Sequence, residues 1–462
     1  MDRSKSVITK YKFALPMLIF SGICFLILAW KMDGDAGPDE WTRYMITEFI
    51  VKYNRLPIGF EEEIINPNWG FSYGFTPYLP SLLGAFFSKL ASFFTDDAQI
   101  LLFACRLVNV FAGVGTVFVT FRIGDKLLDN KGSVYFMASL VGFLPQFVFL
   151  CGYLNNDVLS LLSGFMILDA VLDGGLHKWK LNNLIYLACG VSVCALSYYF
   201  GYGWILFAVA GFFYTCSKQQ LAKDQIIRKT GIVVLSVLVL AGWYFIRNAI
   251  IYHGDFLGYK QQELCARIYF EEHPWIVPPN FPGKYSMHLR DMLHNGRWIE
   301  TTVESLIGLF GGMVICLDGK FYDFYLSVFW ILLFMFVRFR YKTLKKIPGV
   351  MIGAFLFEIV FPVGFSVYQS YLRDFQPQGR YIISIIPAIA VMLATGLDEF
   401  SKAWGEYKFK KIDLSRFGKF IPYIAAIILI AVFVIIYYTV MLPTLTYIVL
   451  PGADRVSFYY IR

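Results

Sequence analysis

The sequence predicts an all-α integral membrane protein with about eleven transmembrane helices. Of its 462 residues, 57% are hydrophobic and 16% are charged, which is far from the composition of a soluble globular protein. Apolar runs of about twenty residues recur along the chain, and each is long enough to cross the hydrocarbon core as a helix. These runs lack the alternation that the strands of a membrane barrel require.

The apolar runs define the predicted spans. They cover residues 11–30, 101–124, 134–151, 158–172, 184–199, 203–216, 231–247, 324–337, 349–368, 382–399 and 420–441. The fifth and sixth spans are short, which also fits one broken pair. The first span follows a basic segment as a signal peptide would, but it is long and lacks a small-residue cleavage site, so we expect it to be retained.

Basic residues set the expected orientation. Lys and Arg concentrate in the N-terminal segment and in short loops at residues 122–131, 178–180, 218–229, 338–346 and 402–419, which the positive-inside rule assigns to the cytoplasm. These clusters account for the net charge of +8, so nucleic acid is not an expected partner. Arg106 and Arg122, at opposite ends of the second span, are expected to serve topology and packing.

This orientation defines the outer loops of a single polytopic domain, residues 1–462. The first and second long outer loops cover residues 31–98 and 248–322, and residues 369–380 form a shorter third. Most carboxylates lie there. We expect a cytoplasmic N-terminus, an outer C-terminus, no separate soluble C-terminal domain and a bacterial plasma membrane as the location.

The first outer loop contains two segments with helical character. Residues 40–53 place aromatic and aliphatic side chains on one broad face, which suits a helix on the membrane surface. Residues 77–94 begin with a proline and are apolar but carry Lys89. They could form a span, but a full span would invert the basic-residue bias of every later loop. We therefore favour a second surface or re-entrant helix.

Two carboxylates follow the first span closely. Asp39 and Glu40 are expected at the membrane–water boundary, at the start of a surface helix. A carboxylate there can act as general base on a hydroxyl, or bind a divalent cation. The alternative is a pair that complements the dipole of the helix. Arg43 and Tyr78, in or beside the two helical segments of this loop, are further candidate substrate-binding residues.

A second polar cluster lies between the third and fourth spans, on the same predicted side. Asn155, Asn156 and Asp157 fit a loop in which Asp157 caps the following helix. However, Asp39 and Asp157 emerge on one face of the membrane from early spans, so they can also meet in one cavity. Asn156 and Asp157 are therefore candidate site residues.

Two outer boundaries carry an arginine beside a polar residue. Arg247 and Asn248 end the seventh span, and Arg380 and Tyr381 begin the tenth. Arginine at a boundary is ordinarily a snorkelling anchor, and tyrosine ordinarily belongs to the interfacial belt. The functional alternative is a guanidinium cradle for the phosphate of a lipid carrier, which matches the geometry of the arginine fork.

Other chemistries have little support in the sequence. Six of the eight cysteines fall in or beside apolar runs, and no CxxC spacing is present. The histidines of the second outer loop lack metal-ligand spacing, and there is no P-loop, GxSxG elbow or dinucleotide fingerprint. No cofactor is required by these patterns. The acidic outer loops allow a divalent cation, but no ligand set is spaced to require one.

Six segments in order along the chain carry a family resemblance. They are GPDEWTRYMITEFI, TPYLPSLLGAFFSKL, CRLVNVFAGVGTVFVTFRIGDKLL, YLNNDVLSLLSGFMILDAVL, GWYFIRNAIIYHGDFLG and GRYIISIIPAIAVMLATGL. In content and order, over nearly the whole chain, they resemble the GT-C superfamily of polyprenyl-phosphate-sugar glycosyltransferases. The chain departs from many members in lacking a large soluble C-terminal domain, and in having LSYYFGYGW where they carry a lysine.

The resemblance implies roles for several candidates. The acidic residue after the first span corresponds to the catalytic base, here Asp39 with Glu40 beside it, and Asp157 corresponds to a residue of the same cavity. Arg380 and Arg247 match the basic residues that bind the lipid phosphate. We therefore expect an inverting glycosyltransferase that moves a sugar from a polyprenyl-phosphate donor to a cell-envelope glycan or lipid on the outer face.

Two other functions fit the same features. A transporter or flippase of a lipid-linked saccharide would also need arginines and a cavity for the carrier, but it usually shows internal pseudo-symmetry, and the sequence has no repeat. An envelope polymerase or ligase would share the outer arginines but typically uses a lipid diphosphate.

Overall fold

The computed structural model describes residues 11–34, 36–276, 281–339, 342, 349–405, 408–409, 412–413 and 415–445. Up to the second outer loop its helices are α1 (Leu15–Lys31), α2 (Glu40–Tyr53), α3 (Leu79–Ala91), α4 (Ala98–Leu127), α5 (Lys131–Gly142), α6 (Pro145–Cys151), α7 (Asp157–His177), α8 (Leu181–Ser197), α9 (Gly203–Lys218), α10 (Lys223–Val237) and α11 (Trp243–Ile251). The predicted basic residues at 3–10, and much of the predicted loop at 338–346, lie outside the described residues.

The rest of the chain is also helical. Its helices are α12 (Tyr259–Glu272), α13 (Leu289–Leu293), α14 (Trp298–Gly308), α15 (Gly319–Arg338), α16 (Gly349–Leu372), α17 (Ile386–Gly405), α18 (Ser415–Ile436) and α19 (Leu442–Leu445). Strands β1 (Leu309–Phe310) and β2 (Ile315–Cys316) pair antiparallel, as do β3 (Lys408–Phe409) and β4 (Ile412–Asp413). The predicted all-α membrane class is confirmed.

The predicted spans correspond closely to long helices. Within the described ranges, nine helices are long and apolar enough to cross a membrane, and a bent helix pair has the length of either a broken tenth span or a re-entrant loop. The predicted fifth span is α8, which has only 17 residues. A 3-10 turn, Tyr199–Gly201, separates it from the predicted sixth span. The chain is therefore a multi-pass integral membrane protein.

The third predicted span is not continuous, which corrects the sequence prediction. Helices α5 and α6 meet at a 61° bend. Pro145 begins α6 and lacks the N–H that would continue the helical hydrogen bonds. The side chain of Gln146 accepts a hydrogen bond from the backbone N–H of Leu309 at 3.2 Å, so the break also joins this region to β1.

Both helices predicted in the first outer loop are present. Helix α2 has the predicted bounds, and α3 has 13 residues. At about 1.5 Å per residue, α3 is too short to cross about 30 Å of hydrocarbon. Its length therefore suits a surface or re-entrant helix, which was the favoured prediction.

The spans differ greatly in how far the protein covers them. The most apolar stretch of Gly379–Trp404 is 83% buried inside the protein, whereas that of Lys223–Ile251 is 11% buried. The span Gly379–Trp404 is therefore central, and the span Lys223–Ile251 is peripheral. Because Arg380 stands at the beginning of the central span, its guanidinium lies in the interior, where a charge needs partners.

Candidate functional site

A cavity of about 210 Å³ lies where the predicted outer segments converge. This volume is below that of sites for drug-sized ligands, and suits one small polar group. The wall combines aromatic rings with amide, hydroxyl and carboxyl groups, including those of Tyr73, Tyr198, Phe200, Gln262, Gln369 and Asp374. Of the ten candidate residues, Arg43, Asn156 and Tyr381 line this cavity.

A buried ion pair between Asp39 and Arg380 lies next to the wall. Arg380 Nη2 is 2.6 Å from Asp39 Oδ2 and 3.1 Å from the hydroxyl of Tyr381. Its Nη1 donates to the carbonyl of Pro38 at 3.3 Å and its Nε to Gln378 Oε1 at 2.6 Å. Asp39 Oδ1 receives no hydrogen bond from the part of the chain that the structure describes, so it retains free acceptor capacity.

The backbone directs Asp39 toward this pair. Asp39 precedes α2 with φ of +63°, in the left-handed region, and its side chain makes no capping hydrogen bond to the helix. Aspartate tolerates this conformation better than most residues, yet strained backbone in non-glycine residues is concentrated at functional sites. The turn thus gives up a cap and directs the carboxylate to Arg380.

Glu40, the neighbouring candidate, is fully engaged elsewhere. Its Oε1 accepts from Arg106 Nε at 2.8 Å and from the backbone N–H of Leu154 at 2.7 Å. Its Oε2 accepts from Arg106 Nη2 at 2.6 Å, and both side chains are almost fully buried. Arg106 also donates to the carbonyls of Ala29 and Met32. This arrangement joins α1, α2, α4 and the loop before α7.

The three polar residues before α7 have different partners. Asn155 Oδ1 accepts from the backbone N–H groups of Asp157 and Val158, so Asn155 caps the helix. Asp157 was the predicted cap, and this part of the prediction is corrected. The buried Asp157 Oδ1 has no hydrogen-bond partner in the described structure, and its carboxyl interacts electrostatically with Arg380 and Arg43.

Asn156 connects two walls of the cavity. Its Nδ2 donates to the carbonyls of Pro77, at 3.2 Å, and Ser197, at 2.8 Å. Its Oδ1 is buried without a partner among the described residues. The side chain therefore holds the first outer loop against the end of α8, and its oxygen stays buried.

Arg43 is a buried cation without a carboxylate partner. It is 4% exposed, and its guanidinium lies 4.4 Å from the centre of the Tyr73 ring. Its Nε has no hydrogen-bond partner, and no described carboxylate lies within ion-pair distance. Asp39 and Asp157 act on this guanidinium only through space, so it keeps N–H donors that suit an anionic ligand.

The structure does not bring the remaining three candidates to this cavity. Arg247 Nη2 donates to the carbonyl of Pro57 at 2.6 Å, and Nη1 to Asn248 Oδ1 at 3.4 Å. Tyr78 is buried edge-on against Tyr244, with ring centres 5.6 Å apart. The predicted pairing of Arg247 with Arg380 at one phosphate therefore gains no support from their placement, because Arg247 is occupied by the backbone of the first outer loop.

Burial changes the proton affinity of two groups in the wall. It raises the pKa of Tyr73 well above its usual value, so this residue remains a neutral phenol. Burial also raises the pKa of Asp374, and the negative charge of Asp39 adds to this effect, whereas the hydrogen bond from Gln376 opposes it.

One carboxylate cluster with metal-site geometry occurs in the described residues, and it lies elsewhere. Asp129, Asp398 and Glu399 bring their oxygens within 4.8 Å of one another. Lys402 Nζ contacts all three, at 3.0 Å from Asp398 and 2.8 Å from Glu399, so an ammonium group already compensates the charge. The divalent cation near Asp39 stays a prediction without a ligand set.

The sequence analysis missed part of the site. Tyr73, Asp374 and Gln376 line the cavity but were not among the candidates. A signal was present, because polar residues alternate along DFQPQGR directly before the candidate Arg380. Nothing comparable marks Tyr73, which reaches the cavity through a 3-10 turn, Tyr73–Phe75.

Comparison with known proteins bears on the fold. No family model and no curated protein sequence matches the chain. The fold is similar to that of ArnT from Cupriavidus metallidurans bound to undecaprenyl phosphate, with a TM-score of 0.51 and 13% identity over 94% of this chain and 74% of that one. It is also similar to the apo oligosaccharyltransferase of Archaeoglobus fulgidus, with a TM-score of 0.52 and 14% identity over 92% of this chain. This chain covers 56% of that enzyme's length. The predicted GT-C fold is confirmed.

Proposed function

We propose that this chain, which has the fold of the GT-C glycosyltransferases, is itself an inverting glycosyltransferase. It would use a sugar linked to a polyprenyl monophosphate, and transfer it to a cell-envelope glycan or lipid at the outer face of the membrane. The observation that carries the proposal is the buried Asp39–Arg380 pair beside a cavity that also contains the unpaired guanidinium of Arg43.

Asp39 is the general base in this proposal. Its Oδ2 is held by Arg380, while Oδ1 is free of hydrogen bonds from the described residues, so Oδ1 is the oxygen that takes the proton of the acceptor hydroxyl. The hydroxyl oxygen bonds to the anomeric carbon as the bond from that carbon to the phosphate oxygen breaks. The bonding electrons leave with the phosphate. Attack opposite the leaving group inverts the anomeric centre.

Arg43 and Arg380 hold the leaving phosphate. Both guanidinium groups are buried, and one of them has no carboxylate partner, so an anion in the cavity gains strong charge-assisted hydrogen bonds. Arg43 is also the one cation in the described wall of the cavity, with Arg380 directly behind Tyr381. Two cationic groups suit one phosphate better than a diphosphate, which favours a monophosphate carrier over the polymerase or ligase alternative.

The other site residues receive supporting roles. Asp157 adds negative charge beside Arg43 and Arg380, while Asn156 holds the cavity wall together through its bonds to Pro77 and Ser197. Tyr381 orients Arg380 through its hydroxyl. We assign Glu40 to positioning, because both of its oxygens are already engaged.

The class of donor is supported from outside the chain. ArnT, whose fold is similar, has undecaprenyl phosphate bound in its crystal structure. In this chain the cavity is bounded by α16, an apolar span whose aromatic residues Phe357, Phe361 and Phe365 stack along its length. Phe365 lines the cavity, so a lipid tail in the bilayer can continue from a headgroup held there.

A transfer assay tests the proposal. Purified protein in detergent would be offered a panel of polyprenyl-monophosphate sugars with envelope acceptors, and release of polyprenyl phosphate would be measured for wild type, Asp39→Asn and Arg380→Gln. We expect release by wild type and none above background by Asp39→Asn, with donor binding retained. Donor binding without release, unchanged in Asp39→Asn, would instead support a transporter.

A further inference from the structure

A row of alternating polar side chains leads along the third outer loop to Arg380. The row is Asp374, Gln376, Gln378 and Arg380, with Phe375, Pro377 and Gly379 between them. Alternate side chains of an extended chain point to the same side, so these four polar groups can lie together. The backbone is extended at Gln378, with φ of −113° and ψ of 125°, and a proline favours an extended residue before it.

Hydrogen bonds connect the row from end to end. Arg380 Nε donates to Gln378 Oε1 at 2.6 Å, Gln378 Nε2 donates to Gln376 Oε1, and Gln376 Nε2 donates to Asp374 Oδ2 at 2.7 Å. Arginine can only donate, and an ionised carboxylate can only accept. The two ends therefore fix the direction of both amides, and the aligned bonds strengthen one another.

The backbone beneath the row is fixed by its packing. Ser370 Oγ accepts from the backbone N–H of Gln376 at 3.3 Å and from Trp298 Nε1 at 2.9 Å, which ties the loop to α14. A Cβ at Gly379 would lie 2.1 Å from the backbone nitrogen of Leu306, so only glycine allows this close approach. The row thus stands on a rigid base.

We propose that Asp374, Gln376 and Gln378 form a positioning relay that orients Arg380 toward Asp39. The bond to Nε sets the rotation of the guanidinium, and Nη2 then points at Asp39 Oδ2. The other oxygen of Asp39 is thereby aimed for proton transfer, so the relay rests on the proposed function and deepens it. None of the three residues needs to touch the reacting atoms.

Asp374 gives the relay an end at the cavity. It lines the wall, and its Oδ1 receives no hydrogen bond from the described residues. The carboxylate balances the charge of Arg380 through the two amides. A sugar hydroxyl that binds Asp374 would therefore influence the orientation of Arg380 at the far end of the same hydrogen-bonded row.

Interrupting the relay at two points tests its role in the reaction. Gln376→Met and Gln378→Met remove the amides with little change in volume, and Gln99→Met, at an exposed position on α4, is the matched control. We expect each relay variant to lower kcat between about tenfold and about a hundredfold, because a misplaced group slows chemistry strongly. The KM of the acceptor should stay within about twofold, as expected for a group that acts only on the chemical step.

The double variant is the decisive comparison. Either substitution alone already breaks a single relay. The kcat of the double variant should therefore be no lower than that of the single variant with the lower kcat. The proposal would be overturned if the fold losses in kcat of the two single variants multiplied in the double variant. A wild-type kcat in Gln378→Met would also overturn it. A kcat loss in Gln99→Met of the same size would overturn it as well.

The unfolding temperature provides a readout without substrate. We expect each relay variant to lower Tm by about 1–3 °C in detergent, and the double variant to lower it by clearly less than the sum. If the wild type transfers no sugar, the proposed function fails, but the Tm values still test the relay. A Tm loss in the double variant that is smaller than the sum of the single losses supports the relay. Additive Tm losses overturn it.

Discussion

Asp39 and Glu40 are neighbours in the chain, and each meets a buried arginine, but the two ion pairs differ in what they leave free. Glu40 uses both oxygens on Arg106 and the backbone of Leu154. Asp39 uses one oxygen on Arg380, and its other oxygen has no donor among the described residues. A saturated carboxylate braces a fold, whereas an unsaturated one beside a cavity can accept a proton.

The largest effect should come from replacing Asp39. Asp39→Asn keeps the shape of the side chain but removes the proposed base, and we expect transfer to fall by about a thousandfold, within the usual range for general-base catalysis. Steady-state transfer checks this. This substitution also removes the carboxylate partner of buried Arg380, so we expect some loss of stability as well, reduced by the bonds that Arg380 keeps to Gln378, Tyr381 and Pro38. Near-normal transfer in Asp39→Asn would show that Asp39 is not the base, and so that Asp39 and Glu40 do not differ in the proposed way.

The second largest effect should be on stability. Glu40→Gln leaves Arg106 as a buried charge without a counterion, and we expect a loss of about 3 kcal/mol in the free energy of unfolding. Unfolding in detergent measures this. The fraction that folds should retain most of its kcat. A kcat loss as large as that of Asp39→Asn, with normal stability, would reverse the assignment of the two residues.

The cations can be compared in the same way. Arg43→Met removes the buried guanidinium of the cavity, and Arg247→Met removes one that is bound to the first outer loop. We expect Arg43→Met to weaken the binding of undecaprenyl phosphate by about tenfold to about a hundredfold, because a charge-assisted hydrogen bond contributes about 1.5–3 kcal/mol. Arg247→Met should bind normally in the same titration. Equal losses in both variants would restore the predicted pairing of Arg247 with Arg380.

The smallest effect should come from Asn155→Ala. This substitution removes the cap of α7, and we expect a loss of about 1 kcal/mol in stability. Asp157→Asn alone should leave stability almost unchanged, because Asp157 makes no capping bond. Comparing the unfolding curves of Asn155→Ala and Asp157→Asn tests whether Asn155 caps the helix while Asp157 supplies charge. Such a division would parallel the one between Glu40 and Asp39.

Much of the fold was predictable because the bilayer imposes length and polarity on each span. The break at Pro145 was missed because the apolar run continues across it, and only tertiary contacts such as that of Gln146 with Leu309 reveal the bend. Pro145 can be read from the sequence, but proline is tolerated in membrane helices often enough that it does not by itself predict a break.

Less of the candidate site was predictable, because its members are distant in the chain. The sequence identified Asp39, Asp157 and Arg380 as polar residues at one membrane boundary, and the structure brings their side chains into one interacting group. It did not distinguish Arg43 from Arg247, since both stand at a boundary and only packing decides which one reaches the cavity. The partner of Glu40 was equally hidden, because Arg106 lies 66 positions away.

The left-handed backbone conformation at Asp39 restricts which residue types can occupy this position. Carboxylate bases elsewhere can drift between aspartate and glutamate, but a longer or β-branched side chain at φ of +63° carries a backbone cost that asparagine and glycine avoid. The residues that fit the turn easily are thus mostly ones that abolish the chemistry. Asparagine at this position would keep the turn while removing the base of the proposed reaction, so the shape of this region can persist without that chemistry.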